Sequence, residues 1–489
     1  MAGPWYVATT GNDTTGNGLS WDTAFATWQK AHDDATAGDT VYVEAGVYTQ
    51  TLSGTKNLTI IGVGGMATVY GGRPVVGSAW SLHATNVWKK TGVTLADGPD
   101  VPTVVRAIGT LQPLVFRTLA GGFEKGWQMD NVGELDSATT FGRKFFYDKV
   151  ANELFVYSTS DPTTAFSSVD FTSEHGSLGP VVATVQTYGG IVWTAADLTA
   201  TNIACFGWYG NGMLIDGGTP TFFNCNFSYN SEDGCGGFRA TNPTARYCPM
   251  SWNGTQRARA IAEMLTDGDG WSWHARLGTE TTGILDEHCY FEGNTKDAFQ
   301  HIDSSTGTSR YAVVKHCNFN TVYNHAGSQT LVGARVTLSS LCLGAVGLVN
   351  AGTVNLYGNT FKGAGTASIG AFVSFFGDVT NMRNNIVTGF NLGYVSLGTP
   401  GTEDYNRWNV TGAIGLTIGA NSTTGDPAVY GTDLHILRTS PCFGTGVAIS
   451  GLNFDGAGKS RPTVPSVGAM EPSRAGAHGG GGGSVLLFD

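Results

Sequence analysis

Cys225-Asn226-Phe227-Ser228-Tyr229-Asn230-Ser231-Glu232-Asp233-Gly234 and Cys289-Tyr290-Phe291-Glu292-Gly293-Asn294-Thr295-Lys296-Asp297-Ala298 share the form C-x-F-x-x-N-x-x-D-[GA]. Cys317-Asn318-Phe319 begins the same pattern, and Asn359-Thr360-Phe361, Asn384-Asn385-Ile386 and Asn406-Arg407-Trp408 keep its apolar step. Several of these starts lie roughly 20 to 30 residues apart, the length of one three-strand coil. Stacked parallel coils would turn the Cys and Phe inward. They would set Asn230 and Asn294 at a turn, where Asn tolerates left-handed angles. The reading is an all-β solenoid.

Composition agrees. Of 489 residues 71 are glycine and only 13% are charged, while 41% are hydrophobic. Disordered chains need the opposite balance, and helix-rich chains avoid glycine. The glycines have no three-residue period, so collagen is excluded. A net charge of −11 speaks against a nucleic-acid partner, which needs a basic face. No run approaches the ~18 apolar residues of a membrane span, so no membrane insertion is expected. Met1 to Gln29 has neither a basic nor an apolar segment and does not read as a signal peptide. Eight cysteines without a CxxC pair read as buried small hydrophobes.

Outward from the repeat, Trp5-Tyr6-Val7 reads as a strand and Ser20 to Ala35 as an amphipathic helix, with Ser20 or Asp22 as its cap. Short strands follow at Val41-Tyr42-Val43 and Leu58 to Ile61. A helix before short strands suits a cap on the open end of a β-stack. The run from Trp5 to Leu52, and the close from Asp426 to Pro472, resemble the two ends of right-handed parallel β-helix proteins of the pectate-lyase-like superfamily. That resemblance implies a right-handed parallel β-helix and a polysaccharide-processing or phage tailspike kind of protein. It implies a polysaccharide partner, and a homotrimer or other virion proteins as further partners. With no signal segment, it implies a virion or extracellular location.

The chain divides into a cap with first coils (1–79), a β-rich insertion (80–175), a central β-helix (176–440), a closing coil (441–472) and a glycine-rich tail (473–489). The insertion carries a hairpin signal, Phe145-Phe146-Tyr147 against Leu154 to Tyr157. In the tail, Gly479 to Gly483 precede the apolar Val485 to Phe488, which suit docking on a neighbouring subunit or another protein.

The D-[GA] step recurs at Asp233, Asp269 and Asp297. In successive coils these carboxylates would form a column at ~4.8 Å spacing, near the separations used by glycosidases. At an effective dielectric near 20 such neighbours repel by roughly 3.5 kcal/mol, so one would keep a proton and serve as acid. Asp-Gly equally marks an ordinary turn. The Asp233 to Asp269 step is long, which places an inserted loop between Arg239 and Asp267, with Ile261 and Glu263 where Cys and Phe stand in the neighbouring coils.

Asp269-Gly270-Trp271-Ser272-Trp273-His274-Ala275-Arg276 concentrates chemistry on one strand. Alternation puts Trp271 and Trp273 on one face and Ser272 and His274 on the other. This strand resembles a motif of phage and bacterial β-helix proteins that process polysaccharides. Trp271 and Trp273 are candidate sugar platforms. Arg239 and Arg276 are candidate partners for sugar carboxylates, and Gln300 and Asp303 for hydroxyls. Hydrolysis by the Asp column is the first expectation. β-Elimination is the alternative, with His274, His301, His325 or Tyr323 as base and Arg276 or Lys296 neutralising the substrate carboxylate. A glycan-binding adhesin or virion structural protein without catalysis is the third. No cofactor is expected: Asp267 and Asp269 offer calcium only an incomplete ligand set.

Overall fold

The computed structural model describes residues 3–472 except 95–113, 120–122, 130, 138–142, 149, 173–176, 183–184, 255–267, 275, 277–278, 303–305, 318, 325–327, 339–343, 349–352, 366–369, 375–378 and 397–399. Three long sheets of mostly parallel strands build the body, the third of them from Tyr290 onward, each strand pairing with its counterpart one coil later. The first sheet passes through Leu198–Thr201, Thr221–Phe223, Thr244–Arg246, Ile284–Glu287 and Thr306–Arg310. The second passes through Asn211–Asp216, Cys235–Phe238, Trp271–His274 and Asp297–Ile302, and the third through Tyr290–Glu292 and Val313–Lys315. One coil visits the second, first and third sheets in turn, which makes the body a parallel β-helix, right-handed as parallel crossovers are. Among the described residues no helix is long and apolar enough to cross a membrane.

The repeat explains the core. Cys225, Cys248, Cys289 and Cys317 are buried free thiols, and Phe227, Met250 and Phe291 follow them inside. Seven of the eight cysteines are described, all free and buried. Asn230 and Asn294 do not take the left-handed angles. Those fall one residue earlier, at Tyr229 (φ 63°), Trp252 (φ 60°) and Gly293 (φ 62°). The Asn side chains stack instead: Asn253 Oδ1 accepts the Asn230 backbone N–H at 3.1 Å, and Asn294 Oδ1 that of Asn253 at 3.0 Å. Each carboxamide N–H also reaches a backbone carbonyl, so a fully buried turn has its polar groups paired. A second ladder, Asn359–Asn385–Asn406, does the same later in the solenoid.

Asn253 also corrects the repeat. The middle coil carries the pattern as Cys248-Pro249-Met250-Ser251-Trp252-Asn253, with Met for Phe, and not at Ile261 and Glu263, which lie outside the described residues. The insertion therefore leaves after Asn253 rather than after Arg239. Its neck is tight: a Cβ on Gly268 (φ 115°) would sit 2.4 Å from Gly254 Cα.

The N-terminal helix is shorter than the sequence suggests, Trp28–Asp34, with Thr27 as its cap. Asp13 accepts the Ala26 and Thr27 N–H groups and the Thr27 hydroxyl, which holds the preceding residues extended. Trp28, Ala31 and Ala35 join the core. Gln29 exchanges hydrogen bonds with both backbone groups of Ser53 in the strand Leu52–Gly54, satisfying an edge that no described strand covers.

Between Gly72 and Thr172 an eight-stranded sheet is interposed. In it Arg143–Asp148 and Glu153–Tyr157 pair antiparallel. Tyr70 donates to Asp170 and ties this sheet to the solenoid. At the other end the last third-sheet strand is Thr423–Thr424, and residues 441–472 add no further coil to the three long sheets. They run back along the corner between the first and third sheets: Gly468 N–H reaches Asn384 O and Ala469 N–H reaches Thr360 Oγ1. Arg461 holds this segment with five hydrogen bonds to its carbonyls and Glu471.

Candidate active site

The register of the second sheet sorts the chemistry. Trp271 pairs with Cys235 and Phe299, Ser272 with Gly236 and Gln300, Trp273 with Gly237 and His301, and His274 with Phe238, itself beside Asp216. Alternation sends the first and third rows inward. Trp271 and Trp273 are fully buried, their rings 5.0 Å apart edge to face, so they are core and not sugar platforms. His301 is inside as well, with Nδ1 2.9 Å from Gln329 Oε1. Gly307 makes room for this pair, since a Cβ there would lie 2.1 Å from Gln329 Oε1. His301 therefore cannot meet a glycan. Asp303 and His325 lie outside the described residues.

The three aspartates do stack one coil apart, as a hydrogen-bonded ladder. Asp269 N–H donates to Asp233 Oδ1 and Asp297 N–H to Asp269 Oδ1, both at 2.9 Å. Asn211 heads the ladder by accepting Asp233 N–H at 3.2 Å. One oxygen each of Asp233 and Asp269 is thus spent on the backbone. Burial, then the charge of Asp269, holds the Asp297 carboxyl well above the usual carboxylate range. Both causes favour its protonated form. Asp297 is also wholly enclosed; Gln300 Nε2 donates to its Oδ2 at 3.3 Å, and Oδ1 has no hydrogen-bond partner.

The outward face offers a different set. Ser272 donates to Asp269 Oδ2 at 3.3 Å and lies 2.9 Å from His274 Nε2. The hydroxyl has one proton, and a carboxylate only accepts. With that proton on Asp269, Ser272 accepts from His274 Nε2–H, and the imidazole lone pair is left on Nδ1. Nδ1 has no partner among the described residues. Burial, assisted by the charge of Lys296, lowers the His274 pKa to about 4, so the ring is neutral across ordinary pH. Lys296 Nζ stands 3.5 Å from Asp269 Oδ2 and 3.2 Å from Gln300 Oε1. Further along the row, Asp216 is held by Arg239 through two hydrogen bonds of 2.7 Å and by Arg276.

Asp216 and Asn211 were not singled out in the sequence. Asp216-Gly217 carries the Asp-Gly step, but at the far end of its strand, in register with Phe238, whereas Asn211-Gly212 has Asn in the place that Asp233 takes one coil later. Arg246, on the first sheet, pairs with Glu287 and stands apart from this row. No cluster of three or more metal-ligating side chains exists among the described residues.

The stacked sheets define a parallel β-helix protein, and this row of polar and titratable groups lies along its second sheet. No family model matches the sequence, and no curated protein is similar to it. Among solved structures the chain is similar to a pectate lyase, Pel9A, at 13% identity over 96% of both chains, with a TM-score of 0.45. XylC in complex with xylose is 11% identical over 96% of this chain and 99% of that one, with a TM-score of 0.46. The tailspike protein gp49 of Pseudomonas phage LKA1 is 10% identical, covers 81% and 76%, and scores 0.29.

Proposed function

We propose that the protein cleaves an acidic polysaccharide by β-elimination on the outward face of its second sheet. One observation carries this reading: His274 Nε2 lies 2.9 Å from Ser272 Oγ while no described group meets Nδ1, and burial with the Lys296 charge lowers the pKa of the ring. Elimination from a uronate needs a base for the proton next to the carboxylate, and cations to stabilise the charge that develops there. His274 Nδ1 takes that proton. The electron pair forms the ring double bond, the glycosidic oxygen leaves, and it takes a proton from solvent. Lys296 and Arg276 face the substrate carboxylate. Polysaccharides of this kind lie outside cells, so the proposed setting is a virion or the extracellular medium.

Hydrolysis by Asp269 and Asp297 is the second reading, favoured by the upward shift that burial and the Asp269 charge give the Asp297 carboxyl. Against it stands the burial of both carboxyls. A panel of acidic and neutral polysaccharides tests the proposal. New ultraviolet absorbance from unsaturated uronates on acidic members alone supports it. Reducing ends from a neutral polymer, or binding without any cleavage, contradicts it.

A further inference from the structure

The corner between the first and third sheets is lined by one left-handed residue per coil: Asn224, Tyr247, His288, Tyr311, Gly333, Gly358 and Asn384. Residues 441–472 cover only its later part. Gly358 touches Leu452 and Arg461, and Leu452 also packs with Tyr311 and Val332. The Phe454 backbone hydrogen-bonds the Tyr311 side chain, and there the covering ends. The aromatic column runs on beyond it. Tyr311 stacks on His288 at 4.9 Å, His288 on Tyr247 at 5.1 Å, and Phe223 meets the edge of this stack 5.6 Å from Tyr247. Tyr311 is 7% exposed, whereas Tyr247 is 50% and Phe223 47% exposed. These two neighbouring rings stand open along the part of the corner that residues 441–472 leave uncovered.

The chain leaves the described residues at Pro472, at the covered end of this column. Pro472 O accepts Lys459 Nζ, and Glu471 N–H reaches Asp455, next to Phe454. Twelve residues, Ser473 to Ser484, separate this point from the apolar Val485-Leu486-Leu487-Phe488, and five of them are consecutive glycines. A glycine-rich linker of that length spans about 20 Å root-mean-square. From Tyr311 to Phe223 is three rungs, about 14 Å. Span and linker match, the condition for a millimolar effective concentration.

We infer that Val485–Phe488 docks in cis on the exposed rings of Phe223 and Tyr247, continuing the covering that residues 441–472 begin. The tail acts as a tethered apolar strap, and its occupant site is this chain's own corner rather than a second copy.

The test places the photo-crosslinker p-benzoylphenylalanine at position 488 of the full chain. After irradiation, crosslinks are mapped by mass spectrometry. Intrachain crosslinks to residues around 223, 247 and 288 are expected, at a yield independent of protein concentration. The double variant Phe223→Ser/Tyr247→Ser should lower them at least tenfold, and so should Leu486→Ser/Leu487→Ser, which leaves the solenoid untouched. Crosslinks elsewhere on the chain, interchain products that grow with concentration, no crosslinks at all, or a yield unchanged in the tail variant would each overturn the inference.

Discussion

Ser272 Oγ stands between Asp269 Oδ2, at 3.3 Å, and His274 Nε2, at 2.9 Å. The hydroxyl passes the orienting effect of the carboxylate to the imidazole and fixes its tautomer. It does not touch substrate in this account, whereas His274 does.

Ser272→Ala should therefore lower kcat with little change in KM, because His274 loses the partner that keeps its proton on Nε2. His274→Ala should cost more, on the order of 10²–10⁴-fold, the usual worth of a general base. Steady-state kinetics on the cleaved polysaccharide separate the two. A KM effect without a kcat effect in Ser272→Ala would show that the serine merely packs.

The acid limb of the pH–rate profile is set by His274 and should lie near pH 4. Lys296→Met removes the second of its two causes and should move the limb upward, though burial keeps it below the ordinary 6.5. Stability has the same origin. Unfolded His274 takes its proton near pH 6.5 and the folded chain only near 4, so stability falls as pH drops through that window and levels off below it. Melting curves of wild type and His274→Gln at both ends of the window would show the gap.

Asp297→Asn replaces an acid whose neutral form burial favours, so the melting transition and the elimination rate should change little. Asp269→Asn keeps the oxygen that accepts Asp297 N–H but removes the charge that Ser272 and Lys296 both face, and should slow turnover. Loss of turnover in a well-folded Asp297→Asn would revive the hydrolytic reading.

The solenoid was legible in the sequence because its signal is repeated: Cys, Phe and Asn recur in phase, and each coil must meet the same neighbours. The missed middle coil shows the limit, since Met250 fills the place of Phe227 and Phe291 with a residue no pattern of aromatics finds. The site was legible only in outline. Asp233, Asp269 and Asp297 could be stacked from spacing, but spacing does not say that their oxygens bind backbone N–H groups. Trp271 and Trp273 alternate with Ser272 and His274, yet which face is inside depends on the whole coil. The Asp216 clamp joins residues from three coils, up to 60 positions apart, and no local window contains it.

Asp286 is an acid inside the solenoid, with Ser309 donating to Oδ1 and Oδ2 without a hydrogen-bond partner. Burial raises its pKa to about 7. The unfolded chain releases this proton near pH 4, so stability is lost as pH rises from there to about 7. Asp286→Asn should melt higher than wild type at pH 8, by a margin that shrinks toward pH 4. An equal margin at both values would show that ionisation is not the cause.

The most direct measurement follows unsaturated uronate absorbance and reducing ends together, on one acidic polysaccharide, with wild type and His274→Ala. The account predicts that both signals rise in parallel for wild type and that both vanish in the variant while its fold persists. Reducing ends that rise without absorbance, or a His274→Ala protein that still eliminates at the wild-type rate, would contradict it.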